Sequence, residues 1–211
     1  MKRSAVLLVV FGLMVAGCGG PAEEPVEVEE VAAVEWEKVL AGSMTDTPKA
    51  QSELVATAVN ALASEMMGEL TAALDSGDPS AAIAVCKEKA PAVAVHIQET
   101  YGVRIGRTSH KLRNAANVAP EWADPFVADL TEDPTYLVGP DGELGALLPI
   151  KLRAECQMCH GPVDGIDEGV MAAISEVYPE DQALGFMEGD LRGWFWVEAP
   201  PGEPETSTTE M

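Results

Sequence analysis

The apolar positions of this chain change period several times. Leu54, Ala58, Leu62, Met66, Leu70 and Leu74 recur every four residues, behind a Thr47-Pro48 start and ahead of a Ser76-Gly77 stop. That spacing predicts a long amphipathic helix. A second start at Asp78-Pro79 precedes Ile83, Cys86, Ala90, Val93 and Ile97, which fall on one helical face before Gly102, and Pro91 inside it is expected to kink or split the helix. Cys86 therefore lies on a buried stripe, where a free cysteine commonly serves as a small hydrophobe. Val103 to Thr108 alternates like a strand. Gly-Pro-Asp-Gly at 139–142 separates Tyr136-Leu137-Val138 from Leu144–Leu152 and predicts a hairpin, and Leu191–Val197, with Trp194-Phe195-Trp196, predicts a last strand. Helical patterns around these strands predict an α+β domain with an antiparallel sheet.

The two ends carry different patterns. Residues 1–18, MKRSAVLLVVFGLMVAGC, place two basic residues before a short apolar run and small residues before a cysteine. This is the pattern of an export signal and too short for a spanning helix. Val15-Ala16-Gly17-Cys18 resembles the bacterial lipobox, so residues 1–17 read as a lipoprotein signal peptide and Cys18 as the lipidated first residue of an extracytoplasmic protein. Gly19, in place of an inner-membrane-retaining aspartate, points to the outer membrane facing the periplasm. Residues 18–37 carry seven glutamates and no basic residue from Gly19 onward, and read as an acidic disordered linker. Residues 199–211, rich in Pro and polar residues, read as a frayed tail. The folded domain is expected over 38–198.

Charge narrows the partners. With 13 Lys+Arg against 35 Asp+Glu the 211-residue chain has a net charge of −22, and loss of residues 1–17 leaves 11 bases against 35 acids, or −24. Such a chain repels phosphate backbones, which disfavours nucleic acid and leaves small molecules, a cofactor or basic proteins.

Cys156-Gln157-Met158-Cys159-His160 is the C-x-x-C-H pattern of c-type haem attachment. Both thiols must reach the two vinyl groups of one porphyrin, and the adjacent histidine must lie under the iron. At this chain's own residue frequencies the pattern arises by chance about once per thousand such sequences, so accident is a poor account. Zinc would want four Cys or His ligands. A redox C-x-x-C would want a thioredoxin-like β-α-β setting, which is missing, and a plain disulfide between Cys156 and Cys159 would leave His160 unexplained. The residues thus predict one covalent haem c with His160 as proximal ligand. For the sixth position Cys86, His96, His110, Met171 and Met187 all remain open.

From about Ala82 to Val197 the chain resembles the Tll-like c-type haem domain family, formerly a domain of unknown function with a PAS-like fold. The matching stretches are Ala82-Ile83-Ala84-Val85-Cys86 with Ala90-Pro91, GVRIGRTSHKLRNAAN at 102–117 with Pro120 and Trp122, CQMCHG, Ala183-Leu184-Gly185-Phe186 and GDLRGWFWV at 189–197. Ala115-Ala116 departs from the Arg-Asn-Pro run expected there. The resemblance implies a PAS-like antiparallel sheet with flanking helices behind a long N-terminal helix, and it implies Cys86 as the distal iron ligand. Arg107 and Arg113, within the resembling stretch, and Arg192 are expected near the haem propionates. With both axial places filled, an enzyme is not expected. Two functions are then open: a redox- or diatomic-gas-responsive sensor module, in which Cys86 leaves the iron, or a periplasmic electron-transfer cytochrome whose acidic surface docks a basic redox partner.

Overall fold

The computed structural model describes residues 36–76 and 81–202. The signal peptide, Cys18, most of the acidic segment, the Asp78-Pro79 start and the last nine residues lie outside them. All described residues belong to one unit, spanning 34–211. Among the described residues no helix is long and apolar enough to cross a membrane.

Five strands, β1 (Glu37–Val39), β2 (Arg104–Thr108), β3 (Thr135–Val138), β4 (Leu144–Lys151) and β5 (Leu191–Ala199), form one sheet in the order β1-β3-β4-β5-β2. Every pairing is antiparallel. The expected hairpin is β3–β4, closed by Gly139 and Gly142. Two long helices, α1 (Asp46–Asp75) and α2 (Ala81–Tyr101), cover one face, and α3 (Asp124–Ala128), α4 (Gln157–His160) and α5 (Glu168–Val177) complete the chain. The expected α+β class, with an antiparallel sheet, flanking helices and a long helix ahead of four of the strands, is the architecture formed.

The alternation along the strands decides which side meets which helix. Ile105, Leu144, Ala146, Val197 and Ala199 point to α1 and α2 and bury against Val55, Ala58, Leu62 and Ile97. Leu137, Leu147 and Trp194 point the other way and pack on Trp122 and Ala123. Of the helix stripe read from sequence, Ala58 and Leu62 are buried in this core together with Val55, Leu54 and Met66 pack on it partly buried, and Leu70 and Leu74 lie farther along the helix beside a cavity.

Two local outcomes refine the expectation. Pro91 lies within an unbroken α2, so the helix is not split in two. Pro91 and Lys87 are both exposed, and the carbonyl left without its helical partner is open to water. Order also begins inside the acidic segment, because Trp36 packs on Trp122, ring centroids 5.2 Å apart, and β1 pairs with β3. At the other end Gln51, buried under the chain, donates to the carbonyls of Gly142 and Pro200.

β4 and β5 slip register between Ile150 and Lys151. Beyond this irregularity β4 ends, and the chain enters a 3-10 turn at Ala154–Cys156 that continues directly into α4. The last paired position before the slip is Gly193, opposite Ile150 and at φ +156, where a Cβ would lie 2.2 Å from the Thr108 carbonyl oxygen. Only glycine permits this approach.

Candidate functional site

Further along the helix-facing side of the sheet, the C-terminal half of α1 and the N-terminal half of α2 leave a cavity of about 580 Å³. That size falls within the ordinary range for small-molecule and cofactor pockets. Its walls include Cys86 from α2, Arg107 and Phe195 from β2 and β5, Arg113 from the following loop, Cys156, Cys159 and His160 from the C-x-x-C-H turn, and Arg192 from β5. Every cofactor-binding and iron-ligating residue singled out in the described chain therefore borders one space. Those singled-out residues span 106 positions of the chain, from Cys86 to Arg192.

The C-x-x-C-H segment is held in a single helical turn. Gly161 closes it, its N–H donating to the Gln157 carbonyl at 2.8 Å. A Cβ on Gly161 would lie 2.6 Å from that same oxygen, so the closure requires glycine. Phe186 and Gly185 then donate to the carbonyls of His160 and Gly161, which clamps the Ala183–Phe186 stretch onto the turn.

His160 is prepared as a neutral donor. Its Nδ1–H donates to the Ala183 carbonyl at 2.8 Å, which sets the tautomer and leaves the Nε2 lone pair for another partner. Burial, reinforced by the positive charges of Arg192 and Arg113, pushes its pKa down to about 2. Burial likewise pushes the Cys159 thiol up, which fits its packing against the apolar cluster of Ile83, Val170, Ile174 and Tyr178.

Three guanidinium groups stand around the cavity. Arg113 is committed to protein partners: it grips Asp181 with Nε at 3.1 Å and Nη2 at 3.2 Å, and Nη2 also donates to the carbonyls of Cys159 at 2.6 Å and Ala183 at 3.3 Å. Asp181 further accepts the Ala183 N–H at 2.9 Å. Arg113, expected near a propionate, borders the cavity and also fastens the backbone that carries Cys159 and His160. Arg192 donates to Ser109 and to the Lys111 carbonyl, while its buried Nε has no partner. Arg107 makes no hydrogen bond to another described side chain, and burial lowers its pKa, an effect offset in part by nearby Cys86 and Tyr178. Arg192 is pushed down to about 10 by burial and by the other two arginines. In a chain of net charge −22, this is a concentrated positive wall, with Asp181 neutralising Arg113 alone.

The remaining sixth-ligand candidates lie elsewhere. The His96 side chain is 63% exposed and sits 3.9 Å from Glu65. Met187 is 55% exposed, and Met171 packs with the α5 cluster. His110 lies edge-on to Phe186 and Trp194, its Nδ1 buried without a partner. None of the four lines the cavity, whereas Cys86 does. Among the described residues Cys86, Cys156 and Cys159 are free thiols, and no three His, Cys, Asp or Glu side chains converge on a bare metal-ion site.

Two contributors escaped sequence reading. Asp181 precedes the Ala183–Phe186 stretch by two residues and carried no signal, its partner being 68 positions away. Tyr178, at the end of α5, lines the cavity with a phenol whose pKa burial raises to about 12.

The family model described as Tll0287-like matches residues 41–200. No curated protein matches the chain. Among solved structures it is similar to the cyanobacterial haem protein Tll0287, at 24% identity, with 69% of this chain and 92% of that one covered and a TM-score of 0.52. A likeness at that identity speaks for the fold alone.

Proposed function

Because this chain belongs to the Tll0287-like family, we propose that it is an exported, lipid-anchored protein carrying one covalent haem c. In this reading Cys156 and Cys159 form the thioethers, His160 is the proximal ligand and Cys86 the distal one, and Cys18 bears the lipid on the periplasmic side of a bacterial membrane, the outer rather than the inner. The observation that carries it is the shared cavity: two thiols, a neutral histidine with Nε2 unengaged and a third thiol border the same space.

The donor set fits the group. Bound there, a haem supplies an iron that changes charge by one electron and exchanges its weaker ligand. Arg107 and Arg192 suit the two propionates, since both face the cavity and neither has a carboxylate partner among the described residues. Arg113, through Asp181, acts as a positioning residue for the attachment turn.

A sensory or redox-responsive role ranks ahead of electron transfer because of where Cys86 sits. It lies on α2, which packs against α1, α5 and β2. Release of a sulfur on that helix reaches all three. With His160 and Cys86 both holding the iron, a bound haem would offer no open place for a substrate, so the proposed role is non-catalytic. The second reading, an electron carrier docking a basic partner, draws on the charge of −22.

Expression with a cytochrome c maturation system, followed by oxidised and reduced absorption spectra with and without carbon monoxide, tests both readings. Cys159→Ser is expected to lose covalent haem, and Cys86→Ala to keep it while losing a thiolate-type oxidised spectrum. Haem extractable from the wild type by acidified solvent would overturn the covalent assignment. An unchanged Cys86→Ala spectrum would remove Cys86 from the iron, and a reduced form inert to carbon monoxide would favour the carrier.

A further inference from the structure

Beside Cys86 lies a second cavity of about 90 Å³. It shares Cys86, Arg107, Asn114 and Asn117 with the larger one, while Leu62 and Ala94 belong to the smaller alone. Both spaces thus border Cys86, the residue proposed as the distal iron ligand, and a role for the smaller space rests on that haem assignment.

The size and lining of this chamber restrict what it can take. A water occupies ~30 Å³ of liquid and an organic ligand pocket ~300 Å³ or more, so the chamber suits a molecule of a few heavy atoms. Part of the lining is apolar, with Leu62, Ala90, Pro91 and Ala94. The rest offers two amides, from Asn114 and Asn117, each both donor and acceptor, and the Arg107 guanidinium donor. A mixed lining of this kind suits a small neutral dipolar molecule better than a hydrocarbon or a bulky anion.

We propose that this side chamber holds a diatomic gas next to Cys86 and is the route by which the gas takes the place of the sulfur. Asn114, Asn117 and Arg107 orient it, and Leu62 and Ala94 pack against it. In the exchange the sulfur keeps the electron pair of the bond it gives up and takes a proton from water, while the gas brings its own lone pair. Nothing is oxidised or reduced.

Ala94→Leu plugs the chamber without touching the larger cavity, and both residues are good helix formers. Carbon monoxide is the probe. The variant is expected to keep the wild-type oxidised spectrum and to bind carbon monoxide about tenfold more slowly after reduction. A second readout needs no haem: in the unloaded protein xenon should shift the Leu62 methyl resonances of the wild type, and Ala94→Leu should abolish the shift. Should the leucine variant fail to fold, Ala94→Val provides a smaller plug on the same wall. A wild-type rate in a plugged variant with a wild-type spectrum, or Leu62 methyls insensitive to xenon, overturns the chamber and leaves the haem reading standing. Absence of covalent haem or of a Cys86-dependent spectrum in the wild type is instead the failure of the haem reading.

Discussion

Asp181→Asn removes one charge at nearly constant shape and asks how the attachment turn is held. Asp181 accepts two bonds from Arg113, at 3.1 and 3.2 Å, and one from the Ala183 N–H at 2.9 Å. The two side chains are only 9% and 5% exposed, so solvent screens the pair little. Breaking a buried pair from one side costs about 3–5 kcal/mol, chiefly because the remaining charge is stranded. That stranding is severe here, since Arg113 also shares its cavity with Arg107 and Arg192. The asparagine oxygen keeps one acceptor, which returns about 1 kcal/mol, for a net loss of about 2–4 kcal/mol. With a urea dependence of about 2 kcal/mol per molar, the unfolding midpoint of the unloaded protein should fall by about 1–2 M. Arg113→Met should also destabilise, yet the double variant should lose well under the sum, with a coupling of about 2 kcal/mol or more, because no charge is then left unpaired. A midpoint within about 0.3 M of wild type, or strictly additive losses, would refute the ion pair as the fastening of this site.

Three further outcomes are expected. His160 in the fold has a pKa near 2 against about 6.5 unfolded, so its contribution is full above pH 6.5 and declines as pH falls, because the unfolded chain takes the proton first. Between pH 6.5 and 5 the unloaded wild type should lose about 2 kcal/mol that His160→Gln does not lose, and matching pH slopes in the two proteins would contradict the buried neutral imidazole. Gly161→Ala sets a Cβ 2.6 Å from the Gln157 carbonyl oxygen, and should cost about 1–3 kcal/mol in thermal unfolding and lower the yield of covalent haem. Gly165→Ala, where nothing lies within 4 Å, is the matched control. Trp36→Ala should cost about 1–2 kcal/mol through the lost contact with Trp122, and full stability in that variant would show that β1 contributes nothing to the domain.

What local pattern could decide, it decided well. An apolar residue at every fourth position marked α1, and turn chemistry at Gly139–Gly142 marked the β3–β4 hairpin, because both depend on neighbours within a few residues. The C-x-x-C-H pattern was legible for the same reason, its chemistry being packed into five consecutive positions. Tertiary structure decided the rest. β1 is three residues long, in a run of glutamates, and forms because β3 offers an edge and Trp122 a ring to cover. The sheet order β1-β3-β4-β5-β2 depends on which exposed faces find one another, which no local spacing encodes. The three arginines look alike in sequence and all border the cavity, and only the fold separates Arg113, bound to an aspartate 68 positions away, from Arg107 and Arg192, which have no carboxylate partner among the described residues. Four of the five sixth-ligand candidates fell outside that cavity for the same physical reason: a side chain's chemistry belongs to its residue type, but its reach to a common point belongs to the packing of distant elements.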